Sequence, residues 1–108
     1  MDREKANLWR EREIEDLKAV MDTKEGRRFI WRLLGQAGIF HPSFVVGAPD
    51  VTAFNEGGRK QGLNLMAEII SETPTSFLTM QQEVMNDEQR RREEEKNSAD
   101  SDRGDSHD

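Results

Sequence analysis

Few side chains in this sequence could do covalent chemistry. There are two histidines, His41 and His107, and no cysteine. Without cysteine there are no disulfides, no thiolate metal sites and no thiol nucleophile. His41 precedes Pro42, which biases it toward extended backbone. Ser43 follows two residues later, with no third group evident to orient a base. His107 sits in a tail of small polar and acidic residues. There is no phosphate loop, no HExxH, no GxSxG and no set of carboxylates at EF-hand spacing. No catalytic residue, metal ligand or cofactor-binding residue is assigned, and the chain is expected not to be an enzyme.

Other patterns bear on contacts rather than reactions. Gly58 and Gly62 stand one helical turn apart, the small-xxx-small spacing that lets two helices approach closely. One reading is an intramolecular crossing against Trp31 or Gly35, and the other is a contact with another chain. Arg27, Arg28 and Arg32, with Arg59 and Lys60, could form a basic patch that contacts phosphate. The competing reading pairs them with Glu25, Glu56 and the acids of the N-terminal helix. Leu8 and Trp9 are isolated among charges and suit a contact arm. The candidate contact surface is therefore Leu8, Trp9, Arg28, Arg32, Gly58 and Gly62. The Arg103-Gly104-Asp105 tripeptide lies in a tail made largely of the same residue types and is read as chance.

Composition supports this restraint. The 108 residues suffice for one domain at most, and 35% of them are charged against 33% hydrophobic. That balance leaves part of the chain as tail or exposed helix. Sixteen basic and 22 acidic residues give a net charge of −6, which argues against nucleic-acid binding over the whole surface. No stretch approaches the roughly 20 apolar residues of a membrane span, and the N-terminus lacks the apolar core of a secretory signal.

The elements that would position these residues are helices. Residues 2–21 read as a helix capped by Asp2, with Ile14, Leu17 and Met21 on one stripe. Residues 24–36 carry the strongest helical signal, capped by Asp22 or Thr23 and ended by Gly38, with Phe29, Ile30, Leu33, Leu34 and Ala37 on a wide apolar face. Residues 39–51 read as an ordered apolar loop, with a short strand at 44–46 as an alternative. A third helix is expected over 50–71, capped by Asp50 or Thr52, with a core face of Leu63, Met66, Ala67 and Ile70 and with Phe54 two turns earlier. Thr73 would cap a fourth helix opened by Pro74, with Phe77, Leu78, Gln81, Val84 and Met85 on its apolar side. Pairs such as Arg90–Glu94 place the base first, the weaker orientation, so fraying is expected from about residue 88. Residues 97–108 are expected to be disordered. The fold class is all-α: a small bundle of about four helices with an ordered loop and a disordered C-terminal tail. The organisation is a projecting arm over 1–13, a core over 14–86, and a fraying helix and acidic tail over 87–108.

The order Asp16-Leu17-Lys18-Ala19-Val20, then Thr23 through Leu34, then Ala37-Gly38-Ile39-Phe40 with Ser43-Phe44, then Thr52 through Gly57 with Arg59 and Gly62-Leu63, resembles a small protein family of tailed bacteriophages and prophages first delineated from a Bordetella phage. The resemblance covers roughly residues 14–72. It implies a gene among those for virion morphogenesis and supplies no catalytic residue. On this reading Arg28 and Arg32 reach Asn55 or Glu56, and Phe40, Phe44 and Phe54 close the loop over the helix crossing.

The leading expectation is a non-enzymatic virion component at the head–tail junction, in the tail or inside the particle. It would be made in the host bacterial cytoplasm, bind other virion proteins, and be present in many copies around a symmetry axis. The alternatives are a transient assembly factor absent from the finished particle and a nucleic-acid-binding regulator using the arginine face. No membrane partner is expected.

Overall fold

The computed structural model describes residues 2–40 and 45–105, with side chains described as far as residue 101. His41, Pro42, Ser43 and Phe44, and with them part of the expected loop or strand, lie outside the described residues, as does His107. Four helices run in order: α1 (Arg3–Met21), α2 (Lys24–Gln36), α3 (Pro49–Glu72) and α4 (Pro74–Asp105). Among the described residues there is no strand, and no helix is long and apolar enough to cross a membrane.

The helix ends have local causes. The Asp2 carboxylate accepts from the Glu4 N–H, and the Thr23 hydroxyl accepts from the Gly26 N–H at 2.9 Å. Between α1 and α2 the turn is so tight that a Cβ on Gly26 would overlap the Val20 carbonyl oxygen. Gly38, at φ 79°, takes the left-handed position just after α2. Helix α3 begins one residue before the expected start, with Pro49 at its first position and no side-chain cap. Thr52 serves the preceding loop instead: its hydroxyl accepts from the Val45 N–H and donates to the Val45 carbonyl. Thr73 also departs from the expected capping role. Its hydroxyl donates to the Ile69 carbonyl at 2.8 Å, closing α3, while its own carbonyl accepts from Phe77 in α4.

Helix α4 runs on to Asp105. Its charge order contributes locally. Glu88 pairs forward with Arg91 and Arg92, at 4.0 and 3.4 Å. That is the acid-first orientation that supports an isolated helix. Residues 89–101 are all exposed, so this stretch is a solvated projection.

The core is small. Met21, Ile30, Leu34, Ile39, Ile69 and Met80 are its buried hydrophobics, flanked by Leu17, Trp31, Ala37, Leu65, Met66 and Phe77. Helix α2 touches all three other helices. The faces it and α3 present differ from the periodicity reading. In α2 the inward residues are Ile30 and Leu34, while Phe29 is half exposed and Leu33 only partly buried. In α3 they are Gly62, Leu65, Met66 and Ile69, while Leu63, Ala67, Ile70 and Phe54 are exposed. On α4, Met80, Phe77 and Val84 turn inward, leaving Leu78 and Met85 exposed.

Gly62 explains the rotation of α3. A Cβ there would lie 2.6 Å from Ile39 Cγ2 and 2.7 Å from Ala37 Cβ. The inward-facing residue is thus the one with no side chain, because the end of α2 packs directly on the α3 backbone. The close approach is intramolecular and made by Ala37 and Ile39, not by Trp31 or Gly35. At Gly58 the nearest atom, the Ala37 carbonyl oxygen, is an ordinary 3.7 Å away.

The molecule extends 77 × 42 × 15 Å with a radius of gyration of 19.9 Å. A compact chain of this length would have a radius of about 13 Å. Its 15 Å thickness is that of two packed helices at most.

Leu34 is fully buried, so Leu34→Ala is expected to cost about 2–5 kcal/mol in denaturant unfolding, and Leu33→Ala only about 1 kcal/mol. Gly62→Ala should lower the thermal midpoint, because Ala37 and Ile39 cannot both give way. Gly57→Ala, with open space around it, should raise stability by about 0.5–1 kcal/mol. Thermal melts of the two glycine variants side by side would check the opposite signs.

Candidate functional site

Beside the core, α2 and α4 enclose a groove. Its floor is Trp31, Met80 and Val84, and its rims carry Arg28 from α2 and Asp87 and Arg91 from α4. One end is closed by an ion pair. Arg27 Nε donates to Glu83 Oε1 at 2.5 Å, Arg27 Nη2 to Glu83 Oε2 at 3.3 Å, and Arg27 Nη1 to the Met21 carbonyl at 2.9 Å. One guanidinium thus joins α4 to the end of α1 across α2, in the bidentate geometry that favours arginine. Phe40 packs on Trp31 with ring centroids 5.0 Å apart.

The Arg27 hydrogen bond holds the Glu83 carboxyl below the usual carboxylate range, against the opposing effect of burial, and the Arg27 charge adds to it. The same bond raises the Arg27 guanidinium. This pair, separated by 56 residues, escaped the sequence reading, which offered Arg27 either a basic patch or partners among Glu25, Glu56 and the acids of the N-terminal helix. Glu83 falls within the apolar periodicity of α4 between Met80 and Val84, and that position was the available signal.

The predicted contact residues do not converge. Leu8 and Trp9 lie well out on α1, 64% and 57% exposed, with the Arg12 guanidinium 5.3 Å over the Trp9 ring. Lys5 borders the same surface. Arg10, paired with Glu68 at 3.0 Å as well as with Glu13, ties this half of α1 to α3. The hydrogen bonds that the Arg10 guanidinium donates to Glu13 and Glu68 raise its pKa. Arg28 pairs loosely with Glu25 at 3.9 Å, and Arg32 lies 5.2 Å over the Phe29 ring. Both contacts lie within α2. Arg59 pairs with Glu56 at 3.8 Å. Carboxylates thus lie beside Arg27, Arg28 and Arg59. Gly58 and Gly62 face the end of α2.

Large apolar side chains are exposed elsewhere too. Val46, Val51 and Phe54 surround the start of α3, and Val46 and Phe54 are 85% and 83% exposed. Among the described residues no three His, Asp or Glu side chains converge as a metal site would require. The chemistry this surface offers is apolar burial and charge pairing.

Replacing Glu83 with Gln is expected to cost about 1–2 kcal/mol near neutrality. Because the folded carboxyl titrates below its unfolded value, its stabilisation is complete above the ordinary carboxylate range. It is lost as pH falls through the depressed value. Urea unfolding of parent and Glu83→Gln should therefore converge in acid and separate on return to neutrality.

Comparison with known proteins places this surface in a biological setting. No curated protein and no solved structure matches the chain. A family model described as Bbp19-like phage protein matches residues 17–82, from the last turn of α1 to the third turn of α4. That segment includes the whole buried core and excludes Leu8, Trp9 and the outer part of α4. With more than half of its length matched, the chain belongs to the Bbp19-like phage protein family.

Proposed function

We propose that this phage protein is a non-enzymatic, virion-associated component that works through protein–protein contacts. It would be present in several copies at the head–tail junction, in the tail or inside the particle. The observation that carries this reading is the ratio of exposed to buried apolar surface. Six hydrophobic side chains are buried, while Leu8, Trp9, Val46, Phe54, Leu78 and Met85 are each more than half exposed. Large exposed apolar surface marks contact sites when its residues cluster, as Leu8 with Trp9 and Val46 with Val51 and Phe54 do. A thin helical body with long arms gives up interior volume for contact surface, which suits a repeated part of an assembly.

The net charge of −6 and the carboxylates beside Arg27, Arg28 and Arg59 weigh against a nucleic-acid regulator. Protein mass spectrometry of purified particles tests the reading. The chain is expected at several copies per particle. Its presence in the lysate and absence from finished particles would replace this reading with that of a transient assembly factor.

A further inference from the structure

The accessible surface of the chain is 8664 Å². A compact monomer of 12.5 kDa exposes about 6200 Å². The solvated end of α4 accounts for part of the difference. The surplus of about 2500 Å² is nonetheless some three times what each partner gives to a standard protein contact. The sequence of α4 shows where such a contact lies. With 35% of residues charged, thirteen consecutive residues would on average hold about four or five charges. Residues 74–86 hold one, Glu83, which Arg27 pairs beside the core. Met80 is buried, and Phe77 and Val84 turn inward beside it. At about 100° per residue, Leu78, Gln82 and Met85 lie on the opposite side of the helix. Leu78 and Met85 are 64% and 65% exposed and stand two turns apart, with Gln81 and Gln82 exposed between them. The outward face of α4 is therefore uncharged for about 20 Å. It ends where the charged run from Asp87 begins. Loss of charge around exposed apolar side chains is the composition of an interface centre.

We infer that this face is covered by the same face of a second copy, the two α4 helices packing antiparallel about a two-fold axis at Gln81 and Gln82. The inference rests on the reading of the protein as a multi-copy contact component and names one of its partners. The face is self-complementary. A carboxamide both donates and accepts, so a glutamine on the axis can pair with its own copy, whereas a charged side chain there would repel it. The flanking charges set the direction. Side by side in parallel, the Arg90–Arg92 blocks of the two copies would lie against each other. In the antiparallel arrangement they leave the contact at opposite ends, and like charges stay apart. Leu78 of one copy then meets Met85 of the other, and the same pair recurs across the axis. The contact is isologous, so it stops at a dimer.

The test uses the full chain and two variants with well-exposed substitutions, Leu78→Lys and Met85→Glu. Trp9→Ala, on another exposed surface, is the control. Circular dichroism at low concentration should show all three folded like the parent. In sedimentation over a wide concentration range the parent and Trp9→Ala should pass from monomer to dimer. Their thermal midpoints should rise with concentration. Leu78→Lys and Met85→Glu should each dissociate about 30-fold more readily or more, as befits loss of an interface anchor. Mixing these two should restore a one-to-one dimer. At one end the introduced lysine meets the introduced glutamate, and at the other the native Leu78–Met85 pair is kept. A parallel pairing would bring position 78 to position 78 and give no such rescue. A parent that stays monomeric throughout overturns the inference, as do variants that associate like the parent or a mixture with no dimer. Detection in purified particles is independent of these outcomes. A monomer found in particles would sink the α4 contact and leave the virion reading standing. A dimer absent from finished particles would do the reverse.

Discussion

Helix α2 is thirteen residues long, and the other three helices all pack against it. Its contacts differ in kind from side to side. Toward α3 it approaches so closely that Ala37 and Ile39 rest on the bare backbone of Gly62. Toward α4 it sends Arg27 to Glu83 beside the buried Met80. Toward α1 it is joined by a turn in which only glycine fits at position 26. Ile30 and Leu34 fill the space these contacts enclose. With so short a central element only a few side chains can be buried, so the long outer helices must extend beyond the core.

That constraint accounts for the shape. Beyond the reach of α2, α1 and α4 persist as helices because their own sequences favour it. Helix α1 is rich in good helix formers and α4 has the forward Glu88 pairs. The outer part of α1 has no second layer of protein to bury Leu8 and Trp9, which remain exposed, and on α4 Leu78 and Met85 face away from the core. The groove between α2 and α4 follows from the same geometry. The two helices are joined at Arg27–Glu83 and are left open farther along, toward Asp87 and Arg91.

The family-matched segment coincides with the part of the chain that holds the core. The packing device at Gly62 and the tight turn at Gly26 lie inside it, as do Ile30, Leu34 and Ile69. They maintain a helical unit and supply no reactive group. Surface for partners is carried by the projecting ends and by the side chains that face away from the core. This division separates the residues that make the fold from those proposed to make contacts.

The sequence alone determined that the chain is helical, where α1 and α2 begin, that Gly38 ends α2, and that the order of motifs belongs to a phage family. Those features are local, set by residues within a turn or two of one another. Tertiary structure decided which side of each apolar stripe faces inward. In α3 the stripe Leu63–Met66–Ile70 predicted by periodicity is rotated, so that Gly62 and Ile69 are buried. Periodicity weighs side chains, and a glycine that turns inward to admit a neighbouring backbone has none to weigh. The partner of Arg27 was equally hidden, since Glu83 lies 56 residues away and nothing in local spacing links them. A local pattern bounds the direction of a helix face to a broad sector. The choice within that sector belongs to the closest contact between distant segments, which exists only after the chain has folded.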